Sequence, residues 1–205
     1  MGTAKAAGLV VLLSALAVVS IATAIGARAP ASATAVLPIS RPPDDEALHS
    51  LASRRLLVPV DGVSRGALRD NFDELRGKTR RHEALDIMAP RGTPVHAVDA
   101  GRVAKLLRNA AGGITLYQFD PDQEFTYYYA HLDRYAAGIV EGAEVKRGDV
   151  IGYVGSTGNA PAHAPHLHFT IFALGPDARW WKGRAVNPYP FLAEARGASP
   201  TEARR

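Results

Sequence analysis

A chain of 205 residues accommodates one domain with a substantial core and leaves little room for two. A hydrophobic fraction of 47% excludes a disordered polyelectrolyte, and a net charge of +4 without a dense basic stripe gives no case for nucleic acid. Cysteine is absent, which excludes a disulfide framework, thiolate catalysis and a lipid-bearing cysteine.

Nothing charged falls between Lys5 and Arg28, and the run AAGLVVLLSALAVVSIATAIGA is apolar on every face. It is long enough to cross a hydrocarbon core as a helix, so residues 1–35 read as a signal peptide or signal anchor with the start of a linker. Ala22-Thr23-Ala24 and Ala31-Ser32-Ala33 fit the small-x-small pattern of a cleavage site, whereas the length of the run suits a retained membrane anchor. Lys5 ahead of the run favours a cytoplasmic N-terminus and an exported body. Without residues 1–35, 22 basic and 20 acidic residues remain, and the exported part is close to neutral.

Residues 36–81 read as linker and N-terminal preamble. Ala, Pro, Ser and Asp dominate residues 26–47, Leu48–Arg54 suits a short helix, and Leu56–Val60 suits a first strand that Pro59 confines to an edge. Residues 61–81 are polar and turn-rich, a surface excursion. The main body, residues 82–192 with its sheet beginning near 56, is β in pattern. Short strands are expected at Val95–Val98, Gly101–Leu107, Ile114–Phe119 and Phe125–Leu132, where Phe125, Tyr127, Tyr129 and His131 share one side. Glycines at 142, 148, 152, 155 and 158 punctuate further short strands, and Pro165–Phe172 is the last strong one. Trp180 and Trp181 fall in a C-terminal extension expected to pack back on the sheet, and residues 193–205 read as a frayed tail. The fold class is mainly β: antiparallel sheets of short strands with glycine-rich turns, preceded by an N-terminal apolar helix.

The histidines carry the chemistry. In the strand PHLHFTI a period of two places His166 and His168 on one face and Leu167, Phe169 and Ile171 on the other. Two imidazoles side by side favour metal or acid–base work over a pair of satisfied core histidines. His82 and Asp86 are four residues apart, about 13 Å in a straight strand, too far for one ion unless His82 sits on a preceding loop. Their spacing alone leaves a surface ion pair as the default. His131 either caps aromatic packing or faces the same cleft as the other histidines. His96, His163 and His49 carry weaker signals.

Three separated segments, His82-Glu83-Ala84-Leu85-Asp86, Tyr129-Ala130-His131-Leu132 and His166-Leu167-His168, occur in the order His-x-Gly-x-Asp, Tyr-Ala-His-Leu, His-x-His. With the flanks DIMAPRGTPVHAVDAGRV and VKRGDVIGYVGSTGN, the chain resembles the lysostaphin-type (M23) zinc endopeptidases of bacterial cell walls over roughly residues 56–172. The resemblance implies zinc (Zn2+) held by His82, Asp86 and His168, with His131 and His166 acting on the water or the transition state. Peptidoglycan is the implied substrate, cut in its stem peptides or cross-links, and the implied location is the periplasm or the outer face of the bacterial inner membrane. A tether through the N-terminal segment and a protein regulator fit the same setting. A two-histidine, one-carboxylate set leaves a fourth position open, the catalytic arrangement.

Ala84 stands where the family has Gly, and a positive φ there would cost roughly 1 kcal/mol or more of strain. Gly112-Gly113 lacks the Tyr-Gly that usually follows in the family. Asp70, Asn71 and Asp73 lie close enough in sequence to close the fourth metal position, and Tyr127, Tyr129, Trp180 and Trp181 are candidate groove residues. The alternative reading is a non-catalytic wall-binding module that activates another hydrolase, a role expected of relatives that have lost ligands. VKRGDVIGYVGSTG is also similar to biotinyl and lipoyl carrier hairpins, but Lys146 lacks their Met-Lys context. No His-Glu-x-x-His helix occurs, and Ser156 in GSTG does not match Gly-x-Ser-x-Gly.

Overall fold

The computed structural model describes residues 45–193. The apolar segment and the expected tail beyond residue 193 lie outside the described residues. Helix α1 (Asp45–Arg54) opens the fold with Asp45 and Glu46 in its first turn and Arg54 in its last, the charge order that complements a helix dipole. The strands follow as β1 (Leu56–Leu57), β2 (Leu75–Arg76), β3 (Arg80–Arg81), β4 (Leu85–Met88), β5 (Pro94–His96), β6 (Gly101–Asn109) and β7 (Gly113–Phe119). They continue as β8 (Phe125–Tyr135), β9 (Glu144–Val145), β10 (Val150–Val154), β11 (His166–Leu174), β12 (Gly183–Val186) and β13 (Leu192–Ala193). The chain is mainly β and antiparallel, as its glycine-punctuated alternation implies. The expected first strand shrinks to β1, which pairs in parallel with β13, while Val60 makes an isolated bridge to Val95.

The principal sheet runs β12-β11-β8-β7-β6-β9, with β4 beside β11 and β10 linking β8 to β5. Alternation sorts the side chains on its central strands. Leu167, Phe169 and Ile171 of β11 and Phe125, Tyr127 and Tyr129 of β8 are fully buried on one face. Tyr129 is a buried polar group with both needs met: its hydroxyl donates to Gln118 Oε1 and accepts from the Val98 amide. Burying such side chains stabilises the fold by roughly 1.5–3 kcal/mol each. The opposite face of β7, β8 and β11 carries Tyr117, Tyr128, His168 and Phe172, with the Tyr128 ring in contact with each of the other three.

Residues 157–158 approach this layer closely. A Cβ on Gly158 would stand 2.3 Å from the amide nitrogen of Gly113, so only glycine lets the loop seat there. Thr157 is thereby pinned, its hydroxyl accepting from Ile114 N and donating to Leu132 O.

Helix α1 is tied to the sheet end by Arg54, whose guanidinium meets Asp99, Asp120 and Asp122 at 3.2, 2.9 and 2.5 Å. The Asp120 side chain is wholly buried and has no other cation within reach among these contacts. Removing one partner of a buried pair leaves an uncompensated charge. Arg54→Ala is therefore expected to lower the unfolding free energy by about 3–5 kcal/mol, read from urea titrations, whereas a change under 1 kcal/mol would show that water replaces the guanidinium.

Candidate metal centre

The centre begins with strand register. β4 pairs antiparallel with β11, and Asp86 stands directly opposite His168. Opposed residues project to the same face with Cβ atoms about 5 Å apart, so pairing alone brings carboxylate and imidazole together. His82 precedes β4 on a turn, the arrangement its spacing from Asp86 demanded. Glu83 takes φ 57° and reverses the chain, so the positive φ falls beside Ala84 and not on it. Ala84 is fully buried, and the strain conditional on a left-handed Ala84 does not arise. Backbone bonds from His82 N to Glu74 O and from Glu83 N to Phe72 O hold this turn against the preceding segment.

Three ligand atoms converge. His82 Nε2 and Asp86 Oδ1 are 2.9 Å apart, His168 Nδ1 and Asp86 Oδ1 3.1 Å, and His82 Nε2 and His168 Nδ1 3.2 Å. A tetrahedral ion with bonds of about 2.0–2.1 Å separates its ligands by roughly 3.4 Å, so the set closes on zinc with little movement. The donor chemistry, two imidazole nitrogens and a carboxylate oxygen, is zinc's own. The surrounding bonds orient each donor. His82 Nδ1–H donates to Asn71 O at 3.0 Å, which leaves the Nε2 lone pair facing the cluster. Asn71 Oδ1 accepts from Asp86 N, and Arg76 Nη2 holds the outer oxygen, Asp86 Oδ2, at 2.5 Å. The same Arg76 Nη2 lies 3.1 Å from His82 Nε2, so the guanidinium borders the ligand cluster as well as the outer carboxylate oxygen.

His131 reaches this face by a bulge. Period two would carry it to the core side with Phe125, Tyr127 and Tyr129, but the pairing of β7 with β8 slips between Ile114/Leu132 and Leu116/Tyr129. The extra residue reverses the alternation, and His131 itself takes φ 58°. Its ring lies 5.0 Å from His166 and 5.5 Å from His168, on the open face. His131 Nδ1–H donates to Thr157 O and His166 Nδ1–H to Ala164 O, each at 2.8 Å. Both rings therefore turn Nε2 toward the cluster, and His166 Nε2 is 3.7 Å from Asp86 Oδ1.

Burial opposes charge on the Asp86 carboxylate, but its contacts with His168 and His82 outweigh that and hold it far below the usual carboxylate range. Burial lowers His131 to about 4, helped by the neighbouring His168 and His166. Burial likewise lowers His168. His131 and His168 are thus kept neutral at ordinary pH, the state in which an imidazole ligates a metal or accepts a proton.

All five residues singled out in the sequence, His82, Asp86, His131, His166 and His168, meet in one place. Asp70, Asn71 and Asp73 are engaged elsewhere: Asp70 takes the Asn187 amide, Asn71 the Asp86 amide and Asp73 the Arg81 guanidinium. None of them fills a metal position. Tyr127 and Tyr129 are core residues and do not line a groove; Tyr128, between them, faces His168. Sequence reading missed Arg76 and Thr157 and expected Asn71 to block the centre where it orients Asp86 and His82, since such contacts form only once separate segments meet. Tyr128 was legible in principle, because it alternates with the tyrosines whose burial the strand pattern implied. His96 bonds to Gly148 O, away from the centre.

An antiparallel β-sheet bearing a two-histidine, one-carboxylate centre with two further imidazoles beside it is the architecture of a metallopeptidase. The family description Peptidase family M23 matches residues 80–188, more than half the chain, and the chain belongs to that family. It is 36% identical to the L-Ala--D-Glu endopeptidase of Bacillus subtilis over 121 residues, which is 57% of this chain and 36% of that one. It is 33% identical to lysostaphin of Staphylococcus simulans over 115 residues, 56% of this chain and 22% of that one. The aligned part thus spans well under half the length of these curated relatives. Among solved structures, the catalytic domain of lysostaphin from Staphylococcus simulans aligns with TM-score 0.51 at 29% identity, over 60% of this chain and 89% of that one. Csd3 of Helicobacter pylori aligns with TM-score 0.52 at 28% identity, over 68% of this chain and 33% of that one.

Two outcomes follow from this geometry. Asn71→Ala removes the side chain that holds Asp86 N and loosens the carbonyl that orients His82; zinc affinity, measured by competition with a chromophoric chelator, is expected to fall about 10–100-fold. His131 has a folded pKa of about 4, below its ordinary 6.5. The fold holds the neutral ring, so its contribution to stability is complete above pH 6.5 and is lost as pH falls toward 4. For the metal-free protein that loss is on the order of 3 kcal/mol. Urea midpoints of wild type and His131→Gln should therefore draw together between pH 7 and pH 4, and parallel curves would refute the buried neutral ring.

Proposed function

We propose that this chain hydrolyses peptide bonds in the stem peptides or cross-links of peptidoglycan, with zinc at His82, Asp86 and His168. The observation that carries the reading is the closure of three ligand atoms to within 2.9–3.2 Å beside two unused, inward-turned imidazoles. The relatives' names, an L-Ala--D-Glu endopeptidase and lysostaphin, support the substrate class. The complete ligand set weighs against a wall-binding module without catalysis.

Zinc held there supplies Lewis acidity toward a scissile carbonyl and brings the pKa of water at its open position to about 7. The chain supplies proton handling and orientation. His131 and His166 each donate through Nδ1 to a backbone carbonyl, which leaves Nε2 free to accept. With its pKa lowered to about 4, His131 is neutral at working pH, fit to take a proton from water or to hydrogen-bond a developing oxyanion after protonation. His166, nearer Asp86, stands on the carboxylate side of the centre. Arg76 on Asp86 Oδ2 leaves Oδ1 turned toward the two imidazoles, the oxygen that would hold the ion. Tyr128 walls the face beside His168.

Export suits this substrate, and residues 1–35 are assigned to export or anchoring at the outer face of the inner membrane. Among the described residues no helix is long and apolar enough to cross a membrane. The test is muropeptide analysis of purified sacculi incubated with the zinc-loaded chain, with and without a chelator. Chelator-sensitive loss of cross-linked species is the expected result, and the fragment masses identify the bond. His131→Ala and His166→Ala are each expected to retain zinc while losing about 10²–10⁴ in kcat. Intact sacculi alongside stoichiometric zinc would transfer the assignment to a wall-binding activator.

A further inference from the structure

The open face of the sheet does not end at the metal ligands. From His168 a series of ring contacts leads outward: Tyr128 at 6.1 Å, Tyr117 against Tyr128 at 4.6 Å, Trp180 against Tyr117 at 4.8 Å and Trp181 against Trp180 at 5.1 Å. The two indoles stand on the loop between β11 and β12 and meet edge-to-face at 70°. Trp180 packs down on Tyr117, which fixes the loop on the sheet. Trp181 is 60% exposed, the largest exposed apolar side chain among the described residues. Trp180 is held between Tyr117 and Trp181, whereas Trp181 rests on Trp180 beside Arg179 with most of its surface in water, the open end of the series.

We propose that Trp180 and Trp181 form a carbohydrate subsite that takes the glycan strand of the wall polymer while a peptide attached to it lies across Tyr117 and Tyr128 toward the metal centre. The proposal rests on the peptidoglycan reading above. Its chemistry is that of a pyranose face, whose axial C–H groups carry slight positive charge and pack on the negative face of an indole. Two indoles meeting at a steep angle form a corner that matches a sugar ring better than an extended peptide. Donors flank the corner: Arg179 has its guanidinium carbon 5.7 Å from the Trp181 ring, and Lys182 follows at once. These serve sugar hydroxyls and N-acetyl carbonyls. The spacing agrees as well. Four ring contacts of 4.6–6.1 Å separate His168 from Trp181, at most what about six extended residues cover at roughly 3.3–3.6 Å each. Peptidoglycan joins short peptides to a polysaccharide, so a glycan strand within about six extended residues of the bond at the metal reaches this corner.

Trp180 and Trp181 are the chain's two tryptophans, so emission excited beyond the tyrosine absorption band reports on this corner. The full chain is titrated with peptide-free glycan strands prepared from amidase-treated sacculi and, separately, with free stem peptide. A saturable change in emission with the glycan strands is expected, larger than the change that peptide lying on Tyr117 causes through Trp180. Trp181→Ala, followed through the remaining Trp180, should weaken glycan binding at least tenfold. The same variant should lower the ratio of activity on sacculi to activity on a soluble stem peptide about tenfold. Emission that responds to peptide as much as to glycan or more, to neither, or equally in Trp181→Ala and wild type would overturn the proposal. Failure of the hydrolase reading shows itself separately, as absence of chelator-sensitive cleavage, and leaves the glycan titration unaffected.

Discussion

The register between β4 and β11 is the constraint on which the rest depends. It sets Asp86 opposite His168, and a slip of one residue would turn either side chain into the core. The buried row Leu167, Phe169 and Ile171 enforces that register, because moving it would expose three core residues together. The metal centre is in this sense an outcome of hydrophobic packing: one face of β11 is held by the core, and the other is left to carry imidazoles.

Two departures from regular structure complete the centre. The turn at Glu83 brings His82 back over β4, and the bulge in β8 moves His131 from the core side to the open side. Both place non-glycine residues at positive φ, a cost of order 1–3 kcal/mol each that persists only where surrounding contacts hold it. Those contacts are visible: Phe72 O and Glu74 O hold the first turn, and Thr157 O and Gly112 O the second. Strain, second-layer hydrogen bonds and function therefore coincide in the same few residues.

The segment before His82 acquires a role from this arrangement. Residues 71–76 supply a carbonyl to His82, an amide oxygen to the Asp86 backbone and a guanidinium to its carboxylate. Asn71 and Arg76 hold the Asp86 donor in place, and the Arg76 guanidinium also borders the His82 ligand nitrogen. On the other side the aromatic series from Tyr128 to Trp181 extends the open face beyond the metal, so that one strand layer presents chemistry at its middle and a platform at its rim.

The sequence by itself determined the mainly antiparallel β class, the shared face of His166 and His168, and the motif order that marks His82, Asp86 and His131 as their partners. The first two are periodic features set by side-chain alternation; the third rests on the resemblance of three ordered motifs to a known family, since spacing alone left His82 and Asp86 a surface ion pair. Tertiary structure alone decided that His131 faces the metal side, that Ala84 escapes the positive φ, that Tyr128 and not Tyr127 or Tyr129 borders the centre, and that Asn71, Arg76 and Thr157 orient the ligands. A bulge shifts alternation by one residue without a compositional mark, and a hydrogen bond between segments 11 to 26 residues apart, such as Asn71 to His82 or His131 to Thr157, leaves no trace in local pattern. Such contacts exist only once the sheet has closed, because burial and register, not sequence neighbourhood, bring their partners within reach.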